Sequence, residues 1–358
     1  GGGVVHWGPT GNHTWREVVR GYDKSNGNGG GQGRYTNANS FTEEPGGLFL
    51  NLVVPNVATT DTNVPGQIAA AQVRTVIGSR SMNEFQFQFS SNVIGTINPD
   101  GTTNRRSQLG LNIPELYPEN TGGYMPLFTV SGQLSTVGAN QLIAIQYKNY
   151  TVTDSFSTQR GAHAIKAGGL ATFEQKNENA TNQTQGNFAF GTGGGRTAFQ
   201  NFLTGNADGL CGTTCSYTEA EIDVTNHLRF NRFEFFAQDS WRPRANFTVD
   251  LGVRYSLYPP IKDANNLMTN FSPAAYVAAN APKFANATGS LITVGTGDPL
   301  NGIIVAGRNS PYGDAIYKFD KGDLQPRLGV TWSPMSEATT VVRGAYGIYY
   351  DQALVGIF

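Results

Sequence analysis

The chain has 358 residues, of which 39% are hydrophobic, 11% aromatic and only 14% charged; soluble domains usually carry about 25% charged residues. Its net charge of −1 provides no broad basic field to recruit nucleic acid or an anionic membrane surface. No window reaches the roughly 20 consecutive apolar residues of a spanning helix, so polarity here is supplied by Gly, Asn, Thr, Ser and Gln. The chain opens on Gly1-Gly2-Gly3 with no initiator Met or targeting segment and stops just beyond a strand-like run, which leads us to expect a fragment of something longer, organised as one partial domain over 1–358.

In chain order, short polar turns with strand-like flanks occur at 8–13 (GPTGNH), 78–81 (GSRS), 158–163 (TQRGAH), 242–246 (RPRAN) and 333–338 (SPMSEA). This recurrence suggests one hairpin per period. It predicts about ten strands, near 3–8, 13–23, 66–78, 82–95, 141–158, 161–175, 229–242, 245–258, 324–333 and 338–351. Long connections are expected at 24–65, 96–140, 176–228 and 259–323. Loops beyond about 15 residues are uncommon in compact soluble domains, whereas short turns on one rim and long loops on the other suit an outer-membrane barrel. Several runs exceed ten residues, against about 5–6 for soluble strands and about 9–11 for a tilted membrane-spanning strand.

The runs alternate with period two, the spacing at which side chains share one face of a strand. In MNEFQFQFS, Phe85, Phe87 and Phe89 oppose Glu84, Gln86 and Gln88; in NFTVDLGVRYSLYPP, Phe247, Val249, Leu251, Val253, Tyr255 and Leu257 oppose Thr248, Asp250, Gly252, Arg254 and Ser256; in LQPRLGVTW, Leu324, Leu328, Val330 and Trp332 oppose Gln325, Arg327 and Thr331. The expected fold class is therefore all-β, an antiparallel transmembrane β-barrel with the oily face turned to outer-membrane lipid. Glu84, Lys166, Asp250, Arg254, Arg327 and Arg343 are the candidate lumen-facing residues, set against a plainer role of solvating the wall or pairing with one another. All four tryptophans, Trp7, Trp15, Trp241 and Trp332, lie close to a short turn, which predicts half of an aromatic girdle at a single interface; the competing reading is that they close the ends of a soluble core.

Cys211 and Cys215 are the only cysteines. An even count in an oxidising compartment favours a local disulfide. A metal site lacks ligands at zinc-like spacing, and a redox pair more typically has two intervening residues where this one has three. His6, His13, His163 and His227 are dispersed and read as polar turn and loop residues. GTGGGRTAF at 191–199 lacks the Gly-Lys-Ser/Thr ending of a phosphate loop and reads as a flexible loop. NPDGT at 98–102 lacks a calcium loop's carboxylates. No catalytic constellation is legible, so neither a cofactor nor enzymatic activity is expected.

Four blocks carry a family resemblance. RFEFFAQDSWRPRANFTVDLGVRYSLYPP (232–260) resembles the paired strands of TonB-dependent outer-membrane receptors, in particular the Oar-like branch that carries a carboxypeptidase-regulatory-like domain. RGAHAIKAGGLATFEQKN (160–177) is similar to that branch's turn and strand, GGGRTAFQNFLTG (193–205) to a short amphipathic segment in the next loop, and LQPRLGVTWSPMSEATTVVRGAYGIYYD (324–351) to the following hairpin. The resemblance implies a barrel of about 22 strands around a plug, energised by the TonB complex through a plug outside this chain, taking up an unknown small solute. This chain shows no TonB box or plug. The rival expectations are a surface-display or adhesion barrel that binds a surface ligand through loops 96–140 and 259–323, and a secreted glycan-binding β-protein.

Overall fold

In the computed structural model the described residues are 4–7, 13–23, 29–44, 60–97, 105–117, 120, 123–137, 143–179, 184–205, 209–220, 225–284, 293, 295–335 and 340–352. The strands are β1 (Val4–Trp7), β2 (His13–Asp23), β3 (Gly29–Glu44), β4 (Thr60–Ile77), β5 (Ser81–Ile97), β6 (Leu127–Val130), β7 (Leu134–Val137), β8 (Ala144–Arg160), β9 (His163–Glu178), β10 (Asn187–Phe190), β11 (Cys215–Thr218), β12 (Asn226–Arg244), β13 (Phe247–Leu257), β14 (Lys262–Asp263), β15 (Thr269–Phe271), β16 (Ile303–Val305), β17 (Leu324–Trp332) and β18 (Val342–Gly347). One α-helix, α1 (Ala198–Thr204), lies between β10 and β11. Among the described residues no helix is long and apolar enough to cross a membrane.

A twelve-stranded sheet runs β1-β2-β3-β4-β5-β8-β9-β12-β13-β17-β18, with β14 paired to β12. Every pairing in this wall is antiparallel. The sheet is open as described, with β1 and β18 at its edges. At 19 residues, β12 spans roughly 60 Å when extended, more than a bilayer crossing requires.

The registers put partners from neighbouring strands on a common side of the wall. Phe85, Val152, Ile165, Phe235, Leu251, Leu328 and Tyr346 share one face. Glu84, Ser155, Lys166, Glu234, Arg254 and Gln325 share the other. The apolar face is the accessible one, with Leu251 47% exposed and Tyr346 70%; the polar face holds the enclosed groups, Thr172 at 0% and Ser256 at 1%. Soluble proteins bury their oil and wet their polar groups. This wall does the reverse, as lipid outside and water inside require.

The expected strand at 13–23 is present with those bounds, those at 66–78, 82–95 and 229–242 are present and longer, and the last expected run shortens to β18. Sequence reading placed 29–44 inside a long loop, but it forms the 16-residue β3. That extra strand reverses the direction of everything before it. The strand ends joined by 78–80, 161–162, 245–246 and 333–341 share one rim, together with those joined by 24–28. The ends joined by 8–12 lie at the opposite rim, with those of the long connections. The expectation that all five turns share a rim is corrected accordingly.

The long connections fold in their own right. From 98–143 and 179–225 comes a four-stranded sheet ordered β11-β10-β6-β7, in which β10 pairs in parallel with β6. Helix α1 packs on it and buries Val130, Phe190 and Ala198 against Phe128, Phe188, Phe202 and Cys215. A third connection carries the β15–β16 hairpin over buried Ile261, Ile304, Ala306, Ala315 and Ile316.

Candidate solute-facing wall and loop cap

The polar face begins from period-two strands, which turn Glu84, Lys166, Asp250, Arg254, Arg327 and Arg343 to one side. They do not form one cluster. Arg254 joins Glu234, which also faces Arg232 at 3.6 Å, so one buried carboxylate sits between two guanidiniums. Glu84 accepts from Arg74 at 2.8 Å and from Gln86 at 2.7 Å. Arg327 lies over the Tyr349 ring, 4.5 Å from guanidinium carbon to centroid, a cation–π arrangement. Gln325 donates to Ser256 at 2.7 Å and satisfies two buried polar groups. Lys166 and Arg343 are exposed on the same face. Arg232 and Glu234 are absent from the lumen-facing set expected from sequence, although Arg232, Phe233, Glu234 and Phe235 alternate as plainly as its members do.

On the apolar face, Trp241 and Trp332 stand beside the short turns, paired with His163 and Phe247. Their strands place them at one rim, while Trp7 and Trp15 belong to strand ends at the other. The four tryptophans therefore do not gather at a single interface; the cause is the reversal imposed by β3. The side chains of Trp7 and Trp15, like those of His6 and His13, fall outside the described residues. His163 stacks on Trp241 and pairs with Asp239 at 2.6 Å, a role beyond that of a plain turn residue. This pair adjoins the turn at 161–162, where an apolar wall meets the polar boundary.

The cap is organised by one arginine. Arg106 is 5% exposed; it donates to the carbonyls of Ile113 (2.7 Å), Gln185 (2.8 Å) and Tyr124 (3.0 Å), and pairs with Glu115 at 2.9 Å, off the hydrogen-bonding direction. Glu219 closes the other side, accepting from Tyr217 (2.6 Å), Asn120 (2.6 Å) and the backbone N–H groups of Leu116 and Tyr117. Burial alone would raise the Glu219 carboxyl, but these donors outweigh it and hold it below its ordinary value. Burial and the bond to Glu219 push Tyr217 up to about 12. Burial also raises Glu115, against the pull of Arg106.

Cys211 and Cys215 are joined in a disulfide with Cα atoms 5.6 Å apart. The glycine-rich stretch before α1 receives this ring: a Cβ on Gly193 would lie 2.5 Å from Thr214 Oγ1 and 2.8 Å from the Cys211 carbonyl, and one on Gly194 2.5 Å from the Leu210 carbonyl. The glycines thus permit a close backbone approach. The fully buried Asn201 of α1 donates to the carbonyls of Gly191 (2.9 Å) and Gly193 (3.2 Å). Thr197 caps the helix in a reciprocal pair with Gln200. The stretch read as a flexible loop is a fitted seat.

Among the described residues no group of three or more His, Cys, Asp or Glu could hold a metal ion.

Residues 12–358 match the family model described as outer membrane beta barrel domain. No curated protein matches. Among solved structures the chain is similar to the outer membrane transporter YddB from Escherichia coli (11% identity, TM-score 0.49, 95% of this chain and 32% of that one). It is also similar to the copper transporter OprC (9%, TM-score 0.48, 95% and 37%) and the ferric-catecholate import receptor Fiu from E. coli (10%, TM-score 0.41, 94% and 51%). The chain spans about a third to a half of the length of these structures. An inverted wall with long folded loops at one rim, matched over nearly its whole length by that family model, belongs to the outer-membrane β-barrel domain family, and the chain resides in the outer membrane.

Proposed function

We propose that this chain is the wall of an outer-membrane receptor that takes up a scarce nutrient, an oligosaccharide, peptide or metal chelate, with energy from the TonB complex delivered through a plug outside this chain. The observation that carries the reading is the polar face, whose charged and amide side chains offer a wetted path beneath long folded loops. The blocks at 160–177, 193–205, 232–260 and 324–351, which resemble TonB-dependent receptors, support it. Glu84, Lys166, Asp250, Arg254, Arg327 and Arg343 then face the lumen, and the tryptophans divide between two interfacial girdles.

A second reading, surface adhesion, draws on the cap, where Leu116, Leu203 and Leu210 are exposed. Uptake by cells carrying the full-length protein separates the two. A receptor accumulates its solute only while the inner membrane is energised and TonB is present. Surface binding that is indifferent to an uncoupler and to loss of TonB would leave adhesion.

A further inference from the structure

On the polar face of β2 to β5, Arg20 stands directly opposite Arg34. Like charges in directly opposed positions of an antiparallel pair are destabilising. Neighbouring carboxylates would relieve this, yet among the side chains described on the polar face of these four strands the one carboxylate is Glu84, and it is engaged by Arg74, Gln72 and Gln86. Arg34 donates to the neutral hydroxyl of Thr36 at 3.2 Å, which leaves its charge uncompensated. Beside the pair runs a row of amides in register: Gln32 opposes and donates to Gln72, Gln72 opposes Gln86, and Gln88 lies in the same row as Arg34 and Ala70. These side chains line a cavity of about 420 Å³ whose floor is kept low by Ala70, the small residue between Arg34 and Gln88 in their row.

We infer that this cavity is a binding site for an anionic solute that presents a carboxylate to Arg20 and Arg34 and hydroxyl or amide groups to Gln32, Gln72, Gln86 and Gln88. A guanidinium matches a carboxylate with two parallel N–H donors, and a row of amides supplies both donors and acceptors to a polyhydroxylated or amide-bearing body. The cluster around Glu234 differs in kind: its cations Arg232 and Arg254 already have a carboxylate, so it offers a visitor less. The inference names the solute class for the proposed uptake and rests on that reading.

The full-length protein in detergent micelles is titrated with trigalacturonate, which carries carboxylates, and with maltotriose, a neutral trisaccharide with the same α-1,4 linkage. Trigalacturonate is expected to bind at least about tenfold more tightly than maltotriose, with affinity falling as salt rises. Arg20→Gln with Arg34→Gln should remove that preference while leaving folding intact, and Gln32→Ala should weaken both sugars. Equal binding of the two sugars by the unaltered protein, or an unchanged preference in the double variant, overturns the site, as does an acidic side chain of the plug cross-linking to position 20 or 34. Energised uptake in cells separates the two claims. If the double variant loses anion binding and no solute is accumulated by any form, the site stands and uptake fails; energised uptake that ignores both arginines leaves uptake standing and removes the site.

Discussion

The wall and the loop cap are built from one chain, yet they obey opposite rules. In the wall Phe235, Leu251 and Leu328 are exposed and Thr172, Ser256 and Gln325 enclosed; in the cap Val130 and Phe190 are the buried groups. The difference lies in the solvent. The cap folds as a soluble unit, with an apolar interior and a capped helix, while the wall treats lipid as its outer medium. Residue type alone therefore does not say which side of a strand is inside.

The largest expected effect is in the cap. Replacing Arg106 with Leu strips one partner from a buried ion pair and three carbonyls, a change that typically costs about 3–5 kcal/mol. Protease cleavage within 105–137 and 184–220 should rise sharply, with the wall's resistance to heat unchanged. Collapse of the wall as well would show that the two regions are not independent. In the wall, Val253→Arg should destabilise the barrel in lipid by about 2–4 kcal/mol, while Thr248→Arg on the polar face should cost little. Urea unfolding of vesicle-inserted protein measures both; equal penalties would refute the inverted arrangement.

The cap should also respond to pH. Glu219 has a lowered folded pKa, so its contribution is full above the ordinary carboxylate value and is lost as pH falls through the folded one. Tyr217 has a raised pKa, so its contribution is full below about 10 and is lost as pH climbs towards about 12. Proteolysis of the cap should increase at both extremes; Tyr217→Phe should remove the alkaline limb and, by taking a donor from Glu219, weaken the acid limb. The smallest effect is that of the disulfide. Its ring closes over few residues, so it should add less than the roughly 3 kcal/mol of a 15-residue loop. Replacing Cys211 and Cys215 with Ser should loosen the segment around Gly193 without changing the wall's heat stability. Thiol labelling of surface-displayed protein without reductant would contradict the bridge.

Strands β5, β13 and β17 were legible because phenylalanine, leucine and valine alternate there with polar groups. β3 was not, because GGGQGRYTNANSFTEE is rich in Gly and Asn, which disfavour strands. It is held by neighbours on both sides instead. From that single omission followed the misplacement of Trp7 and Trp15. Charged residues on the polar face could be read from period; which of them pair could not, since Glu234 meets Arg254 through a register between strands. The knot around Arg106 was beyond reach for the same reason, because Arg106 and Tyr217 are 111 residues apart in sequence. Cys211 and Cys215 were legible through proximity alone.

The parallel pairing of β6 with β10 fixes an order of assembly. Its two strands come from separate loops rooted on either side of the β8–β9 hairpin, so they cannot meet with matched register until that hairpin has brought the loop roots together. Before then the pairing must close a chain of about 60 residues, and non-local closure is slow. The β6–β10 pairing is thus expected to follow the β8–β9 hairpin, and its appearance would report that this hairpin is already zipped.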